Sequence, residues 1–382
     1  MTRLIAVLVG ALLGGTPCAA QPSAPRPTKT RNVILFMSDG LRWQEVFTGA
    51  DERLMNKENG VEHPEPLRAA YWRDTPEARR EALLPFVWST IARHGQLYGN
   101  MFNGSSSHVT NEWRVSYPGY SEVFCGFKNP YVKDNKNIMN PEATVFEWLN
   151  GLPAYHGKVA AFGAWELFPS IFNTQRCGFP VDGGNGPVTF GTLSPRIEMI
   201  NTLRAEVPTR WGRTTFDAMV YRSGLEWLKL NKPRVMFLGM GETDEWAHEG
   251  DYRQYLDAAH RVDAYLRELW ETLQSMPEYK DATSIIVTCD HGRGGDNAPG
   301  HEGGELKKWR DHNNKTIGAE QIWIMVMGPD TPALGERENI EPVTQSQIAA
   351  TIAALLGEDY NAAQPRAAGP LRDALPPAPP AR

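Results

Sequence analysis

Residues 283–292, Thr-Ser-Ile-Ile-Val-Thr-Cys-Asp-His-Gly, decide the fold that this sequence predicts. Five of the first seven residues are β-branched, which is typical of a strand buried on both faces of a parallel sheet. The run ends at Asp290 and His291, where a chain leaving such a sheet must turn. Ligands of open α/β sheets bind outside the carboxyl ends of the strands, so an aspartate and an imidazole there can serve one cation. The alternative is an aspartate that caps the next turn beside a surface histidine.

Two further apolar runs predict buried strands that end close to acidic residues. Residues 32–37 run into Asp39, and residues 234–241 run into Asp244. The remaining strands are predicted at residues 96–102, 158–162 and 321–327. Helical spacing of apolar residues is found at residues 77–95, 144–150, 195–206, 213–231, 252–275 and 347–356. This alternation predicts a doubly wound, mostly parallel sheet in one α/β domain, residues 32–362, with residues 163–191 as a short lid or insert.

The composition limits the classes of partner. The chain has 382 residues, 41% of them hydrophobic, which is enough for one large core or two moderate ones. Its net charge is -6 with both signs well mixed, so we expect no binding to nucleic acid polymers or anionic membranes.

The N-terminus has the pattern of a signal peptide over residues 1–20. Arg3 provides the positive charge, residues 4–13 the apolar core, and Cys18-Ala19-Ala20 a cleavage site of small residues. We therefore expect a protein exported to the periplasm or secreted, without a membrane span in its mature form. An N-terminal anchor is the alternative, although the apolar run is short and interrupted by glycines. Residues 21–31 form a Pro-rich lead-in, and the Ala- and Pro-rich residues 363–382 predict a disordered tail.

Export leaves three cysteines. Cys289 lies inside the strand of residues 283–289 and is expected to be a small buried apolar side chain. Cys125 with Cys177 is then the one disulfide to consider in an oxidising compartment.

The strand ends suggest a metal site. Asp244 and His248 are four residues apart, and in a helical turn both point to one side. His301 and His312, in the loop after residue 292, are both candidates for a further ligand. Imidazole and carboxylate ligands suit zinc, with manganese or iron less preferred. Two such ions about 4 Å apart can polarise a phosphoryl oxygen and stabilise the attacking and leaving groups.

Ser116 is a candidate nucleophile. Residues 116–126 predict a loop that turns into a short helix, with Ser116 near its N-terminus, where backbone N–H groups favour an anion. A neighbouring cation would help the hydroxyl group to lose its proton. The alternative is that Ser116 only caps the helix.

Taken together, these motifs resemble the alkaline phosphatase superfamily and, within it, the type I phosphodiesterase/nucleotide pyrophosphatase group. The matching segments are residues 36–40, 116–120, 244–248, 290–292 and the closing helix at 348–357. The resemblance implies an alkaline phosphatase-like fold and two divalent metal ions, most often zinc. It implies one metal site at Asp39, Ser116, Asp290 and His291, and a second at Asp244, His248 and His312. His312 is preferred to His301 because residues 309–312 precede the last strand by the gap usual in that family.

Two departures from the family pattern concern the substrate. Ser116 stands where nucleotide pyrophosphatases usually have threonine, and Gly119 replaces a common asparagine. Sulfatases of the same superfamily that form formylglycine need an arginine where this chain has Tyr120, which argues against a sulfatase of the formylglycine type.

The sequence therefore predicts an exported dinuclear metal-dependent hydrolase of small-molecule phosphoric esters, with a phosphoseryl intermediate at Ser116. The resemblance places an asparagine near Asn135 to bind the phosphoryl group, which suits the single charge of a diester. Arg114 is the competing candidate and would suit the double charge of a monoester. One alternative is a phosphoglycerate mutase-like phosphotransferase, for which residues 125–232 are too short to hold the inserted domain. The others are a sulfate-ester hydrolase and a non-catalytic binder of phosphate ligands, both of the same superfamily. The oligomeric state is left open.

Overall fold

The structure, a computed structural model, describes residues 28–295 and 303–376. The predicted signal peptide, most of the Pro-rich lead-in, and His301 lie outside these residues. Among the described residues, no helix has the length and apolar character needed to cross a bilayer.

A large β-sheet forms the centre of the molecule. The strands are β1 Asn32–Ser38, β2 Gly95–Tyr98, β3 Ser107–His108, β4 Val159–Gly163, β5 Val181–Asp182, β6 Val235–Met240, β7 Thr283–Thr288, β8 Ile324–Met327, β9 Gly335–Glu336 and β10 Val343–Thr344. Eight of them form one sheet in the order β5-β4-β6-β1-β7-β8-β2-β9, and β3 pairs with β10 separately. β8 runs antiparallel to both of its neighbours, and the other pairs in the sheet are parallel. The predicted mostly parallel α/β sheet is thus confirmed.

Helices follow most of the strands. They are α1 Trp43–Thr48, α2 Pro64–Tyr71, α3 Pro76–Leu83, α4 Ala92–His94, α5 Ser116–Cys125, α6 Val145–Gly151, α7 Phe168–Ile171, α8 Pro195–Glu206, α9 Asp217–Asn231, α10 Glu242–Glu249, α11 Tyr252–Ser275, α12 Ile348–Leu355 and α13 Tyr360–Ala363. Short 3-10 helices occur at Glu52–Leu54, Lys57–Asn59, Met101–Asn103, Leu306–Arg310, Gln345–Gln347 and Arg372–Ala374.

The carboxyl ends of the three central strands, β1, β6 and β7, lie side by side. Every residue of β1, β6 and β7 is buried, as expected for strands covered on both faces. β1 lies between β6 and β7 in parallel register, so that Ser38 pairs with Met240 and Met37 with Thr288. The strand order reverses at β1, and the crevice at such a point is the usual ligand site of open α/β sheets.

Helix α5 is held firmly beneath this crevice. All ten of its residues are buried, and it packs against α6 and α12. The ring of Phe124 lies 4.5 Å from that of Phe172 and 5.0 Å from that of Phe237, centroid to centroid. Such aromatic contacts fix the helix on the sheet and with it the position of Ser116.

The helix predicted over residues 77–95 is interrupted. α3 ends at Leu83, and a π-helical turn, Val87–Ile91, begins only after Pro85. Proline has no N–H group to donate, so the hydrogen-bond ladder cannot continue through it. Asp263 on α11 instead accepts hydrogen bonds from the N–H groups of Phe86 and Val87, at 2.9 and 2.8 Å.

Part of the Ala- and Pro-rich tail, within residues 363–376, packs against the domain. Ala367, Leu371 and Ala374 are buried, and the N–H group of Leu371 donates to Thr351 Oγ1 at 2.9 Å. Small apolar side chains here cover the surface of α12, which the composition alone did not indicate. Residues 377–382 lie outside the described part of the chain.

The disulfide considered between Cys125 and Cys177 is not formed. Cys125, Cys177 and Cys289 are buried free thiols. The Cys125 side chain packs inside the domain near Ser121 and Asn140, and that of Cys177 faces the carbonyl of Phe179.

Candidate metal centre and active site

All seven predicted ligand residues meet at the carboxyl ends of β1, β6 and β7. Asp39 follows β1 directly, Asp290 and His291 follow β7, and Asp244 lies in the first turn of α10 after β6. They lie in two adjacent groups. We define the first cluster as Asp39, Ser116, Asp290 and His291, and the second cluster as Asp244, His248 and His312.

The first cluster converges on the Nε2 atom of His291. Ser116 Oγ and Asp39 Oδ1 each lie 3.3 Å from this atom, and Asp290 Oδ2 lies 3.4 Å away. Ligand atoms bound to one tetrahedral zinc ion at about 2.0–2.1 Å are themselves about 3.3 Å apart. Asp39 Oδ1 and Asp290 Oδ2 are buried, yet neither has a hydrogen-bond partner among the described residues. Buried carboxylate oxygens are normally paired, so this arrangement fits a cation.

The second oxygen of each carboxylate is held by the protein. The hydroxyl group of Tyr120 donates to Asp39 Oδ2 at 3.1 Å, and the N–H group of Gly40 donates to Asp290 Oδ1 at 3.1 Å. These bonds orient the free oxygens toward the cluster, as outer hydrogen bonds do in metal sites.

The second cluster is open to solvent on one side. Asp244 Oδ2 and His312 Nε2 each lie 3.0 Å from His248 Nε2. Asp244 is buried, whereas the side chain of His248 is 46% exposed. Three ligand atoms at these separations, with one open side, match a catalytic zinc site better than a closed structural one.

Backbone contacts orient two of the histidines. His291 Nδ1 lies 3.0 Å from the carbonyl oxygen of Gly292, and His312 Nδ1 lies 3.1 Å from that of Arg114. A proton on each Nδ1 leaves the Nε2 lone pairs facing the clusters. The two rings stack at 3.8 Å with an interplanar angle of 7°.

The carboxylates differ in their electrostatic surroundings. Burial and the charge of Asp244 raise the pKa of Asp39, and burial and the charge of Asp39 raise the pKa of Asp290. Burial acts to raise the pKa of Asp244, but the Arg293 guanidinium and the neighbouring His248 and His312 together outweigh it and hold that pKa well below its usual value. Burial, together with the nearby His291, lowers the pKa of His312, which therefore stays neutral and able to bind a metal ion.

A cavity of about 390 Å³ opens onto both clusters. Its floor includes Ser116, Asp39, Asp244 and His248. Its lining also includes the aromatic side chains of Trp165, Phe168 and Trp211. The first two of these come from the segment predicted as a lid or insert, which therefore forms a pocket wall.

The two predicted substrate-binding residues are placed differently. Asn135 lines the cavity, and its Oδ1 accepts a hydrogen bond from the N–H group of Tyr117 at 2.9 Å, which leaves Nδ2 to donate to a ligand. The Arg114 guanidinium instead pairs with Glu320 at 2.7 Å, and Arg114 is not part of the described cavity lining.

Two arginines near the site were not foreseen from the sequence. Arg213 lines the cavity, pairs with Glu166 at 2.6 Å, and donates to the carbonyl oxygen of Asn135 at 3.3 Å. Arg293 is fully buried and contacts Asp244. Its position two residues after His291 was the only feature of the local sequence that indicated a place in the site.

Gly119, a departure from the family pattern, has a steric reason. A Cβ atom at this position would lie 2.2 Å from the carbonyl oxygen of Asp290. The close approach of α5 to the Asp290 segment therefore leaves no room for a side chain.

Comparison with solved structures shows a shared fold. Alkaline phosphatase PafA is 10% identical, with a TM-score of 0.53 over 92% of this chain and 100% of that chain. The lipoteichoic acid synthase LtaP from Listeria monocytogenes is 12% identical, with a TM-score of 0.51 over 87% and 73%. Ps i-CgsB is 15% identical, with a TM-score of 0.52 over 89% and 75%. None of the curated proteins matches the sequence.

A family model matches residues 51–354, which is most of the sequence. The family that the motifs suggested is thereby confirmed. This chain belongs to the type I phosphodiesterase / nucleotide pyrophosphatase family.

Proposed function

We propose that this protein is a dinuclear metal-dependent hydrolase of small-molecule phosphodiesters, with Ser116 as its nucleophile. The main support is the first cluster, in which two buried, unpaired carboxylate oxygens and the Ser116 hydroxyl surround His291 Nε2. Membership of the phosphodiesterase family supports the same chemistry.

Each cluster would hold one divalent ion. Asp39, Asp290 and His291 would bind the first ion beside Ser116, and the second cluster would bind the other. The mixture of imidazole and carboxylate ligands favours zinc, with manganese as the next choice. When bound, the two ions supply positive charge that lowers the pKa of the serine hydroxyl and stabilises charge on the phosphoryl group.

Ser116 would attack phosphorus as the bond to the leaving alcohol breaks, and water would then hydrolyse the phosphoseryl ester. As the first residue of the ten-residue helix α5, Ser116 lies where free N–H groups and the helix dipole favour an anion. The Nδ2 group of Asn135 would donate to a phosphoryl oxygen. An uncharged donor suits a diester, which has a single negative charge.

The cavity supports a substrate of modest size. About 390 Å³ can take a small ester, and the aromatic walls suit an apolar substituent. We also propose, from the N-terminal sequence, that the mature protein acts outside the cytoplasm.

The test compares turnover of three aryl esters by the purified mature protein: a phosphate diester, a phosphate monoester and a sulfate ester. We expect the diester to react fastest. Ser116→Ala should lower kcat by about 10³-fold or more and retain two bound zinc ions. Ser89→Ala, a change at an exposed serine, is the matched control and should leave kcat unchanged.

Asn135→Ala distinguishes the substrate classes. Loss of kcat/KM mainly for the diester would support the proposal, while a preference of the wild type for the monoester would indicate a phosphatase. Wild-type turnover in Ser116→Ala would rule out the covalent mechanism.

A further inference from the structure

Within the described part of the chain, the guanidinium of Arg293 donates hydrogen bonds only to segments that contain predicted metal ligands. Its Nε donates to the carbonyl oxygen of Gly40 at 3.1 Å, and Nη2 donates to the carbonyl oxygen of Asp244 at 3.1 Å. Nη2 also pairs with Asp244 Oδ1, and Nη1 donates to the carbonyl oxygen of Arg310. The side chain is completely buried.

These bonds connect segments that are distant in the sequence. Gly40 follows Asp39, Arg310 precedes His312 by two residues, and Arg293 itself follows His291 by two. One side chain therefore holds together the β1 end, the start of α10, and the segment that contains His312. Burying a cation is costly, so its full set of partners indicates a specific role.

Asp244 has two possible roles in the site. Its ligand oxygens lie close enough to Asp39 and His291 for these three residues to share a cation, with all ligand atoms within 4.8 Å. They are also close enough to His248 and His312 to form the second cluster. Arg293 contacts Oδ1, which lies 3.7 Å from both His291 Nε2 and His312 Nε2, and leaves Oδ2 free to lie beside His248 Nε2 at 3.0 Å.

We propose that Arg293 is a positioning residue that directs Asp244 to the second metal site and holds the His312 segment against it. The inference rests on the proposed function only in requiring that the second cluster binds a cation. Arg293 does not contact the reacting atoms in this proposal. A lysine could keep the charge but not the forked set of bonds, because its ammonium group is a compact point donor.

The experiment measures zinc affinity and stoichiometry by competition with a chromophoric chelator, using wild type, Arg293→Met and Arg293→Lys. We expect wild type to bind two ions, and both variants to bind the second about 10–100-fold more weakly. The first ion should be affected much less. His248→Ala, which removes a ligand of the second cluster, should weaken the binding of the same ion. Adding Arg293→Met to it should then cost little more, because the two changes act on one site.

Arg204→Met is the matched control for the loss of a buried arginine. Arg204 pairs with Asp182 at 2.8 Å, and its side chain is 3% exposed, but its partners lie outside both clusters. We expect this variant to lose thermal stability and keep wild-type zinc affinity at both sites. If Arg293→Met does not fold, Arg293→Lys provides the same comparison with the charge retained.

Wild-type affinity for both ions in either folded Arg293 variant would overturn the inference, as would a wild-type protein that binds only one ion or none. Failure of the proposed function gives a different result. In that case wild type binds two ions and Arg293→Met binds the second more weakly, but no phosphate ester is hydrolysed.

Discussion

Gly119 fixes the distance between the nucleophile helix and the Asp290 segment, and its replacement by alanine tests the active-site geometry. The residue lies one helical turn after Ser116 on α5. An added Cβ would lie 2.2 Å from the carbonyl oxygen of Asp290 and 3.1 Å from its Cβ, whereas ordinary contacts begin near 3.4 Å. Both partners are backbone or buried, so α5 and the Asp290 segment must separate by roughly 1 Å.

This displacement acts directly on the nucleophile. Ser116 Oγ lies 3.3 Å from His291 Nε2, and a shift of about 1 Å at a reacting group can lower the rate about 10²-fold. The corresponding increase in activation free energy is about 2.7 kcal/mol. Overpacking should also lower the free energy of unfolding by about 1–3 kcal/mol.

The assay measures kcat/KM for the diester at saturating zinc, with chemical denaturation in parallel. Gly151→Ala is the matched control, because its Cβ would meet no atom within 4 Å. We expect that control to keep both activity and stability. Wild-type kcat/KM in Gly119→Ala would refute the argument that this contact positions Ser116.

Two further predictions concern stability and processing. Burial raises the pKa of Asp263 from its usual 3.8 to about 6, so this carboxyl stabilises the fold at low pH and loses that contribution as pH rises through about 6. Relative to Asp263→Asn, wild type should therefore lose about 3 kcal/mol of unfolding free energy between about pH 4 and pH 7, measured by denaturant titration; a constant difference would contradict this. N-terminal sequencing of the mature protein should find a start near Gln21, and a retained Met1 on soluble cytosolic protein would contradict export.

The strands at the centre of the sheet could be predicted because each is encoded by a continuous apolar run within its own residues. A strand buried on both faces needs an unbroken apolar run, and the runs before Asp39, Asp244 and Asp290 identify both the strands and their ends. Since parallel strands present their carboxyl ends at one edge, the ligand residues also followed from sequence order. The interruption at Pro85 was missed because a helical pattern of apolar residues continues on both sides of it.

Residues whose position depends on distant partners could not be predicted in this way. Arg114 lies two residues before the nucleophile in sequence, but its guanidinium pairs with Glu320 and is not part of the described cavity lining. Arg213 reaches Asn135 across 78 positions, and Arg293 reaches Gly40 across 253. No periodicity or motif records such contacts, which arise only when the loops at the sheet edge meet.

Proton release should distinguish the two clusters when they bind metal. When no cation neutralises them, Asp39 and Asp290 have raised pKa values because they are buried next to other carboxylates. A cation entering the first cluster must therefore displace protons held by these carboxyl groups, and its affinity should fall as the pH falls. In the second cluster the pKa of Asp244 is lowered and His312 is neutral, so binding there should release fewer protons.

Calorimetric zinc titrations in buffers with different ionisation enthalpies measure the protons released by each ion. His248→Ala would isolate the first cluster, and Asp290→Asn would reduce its proton release. Equal release from the two clusters in the wild type would contradict this assignment of charge. The expected asymmetry has a structural origin: among the three aspartates at these strand ends, Asp244 lies beside Arg293 and His248, whereas Asp39 and Asp290 each keep a buried oxygen that only a proton or a cation can satisfy.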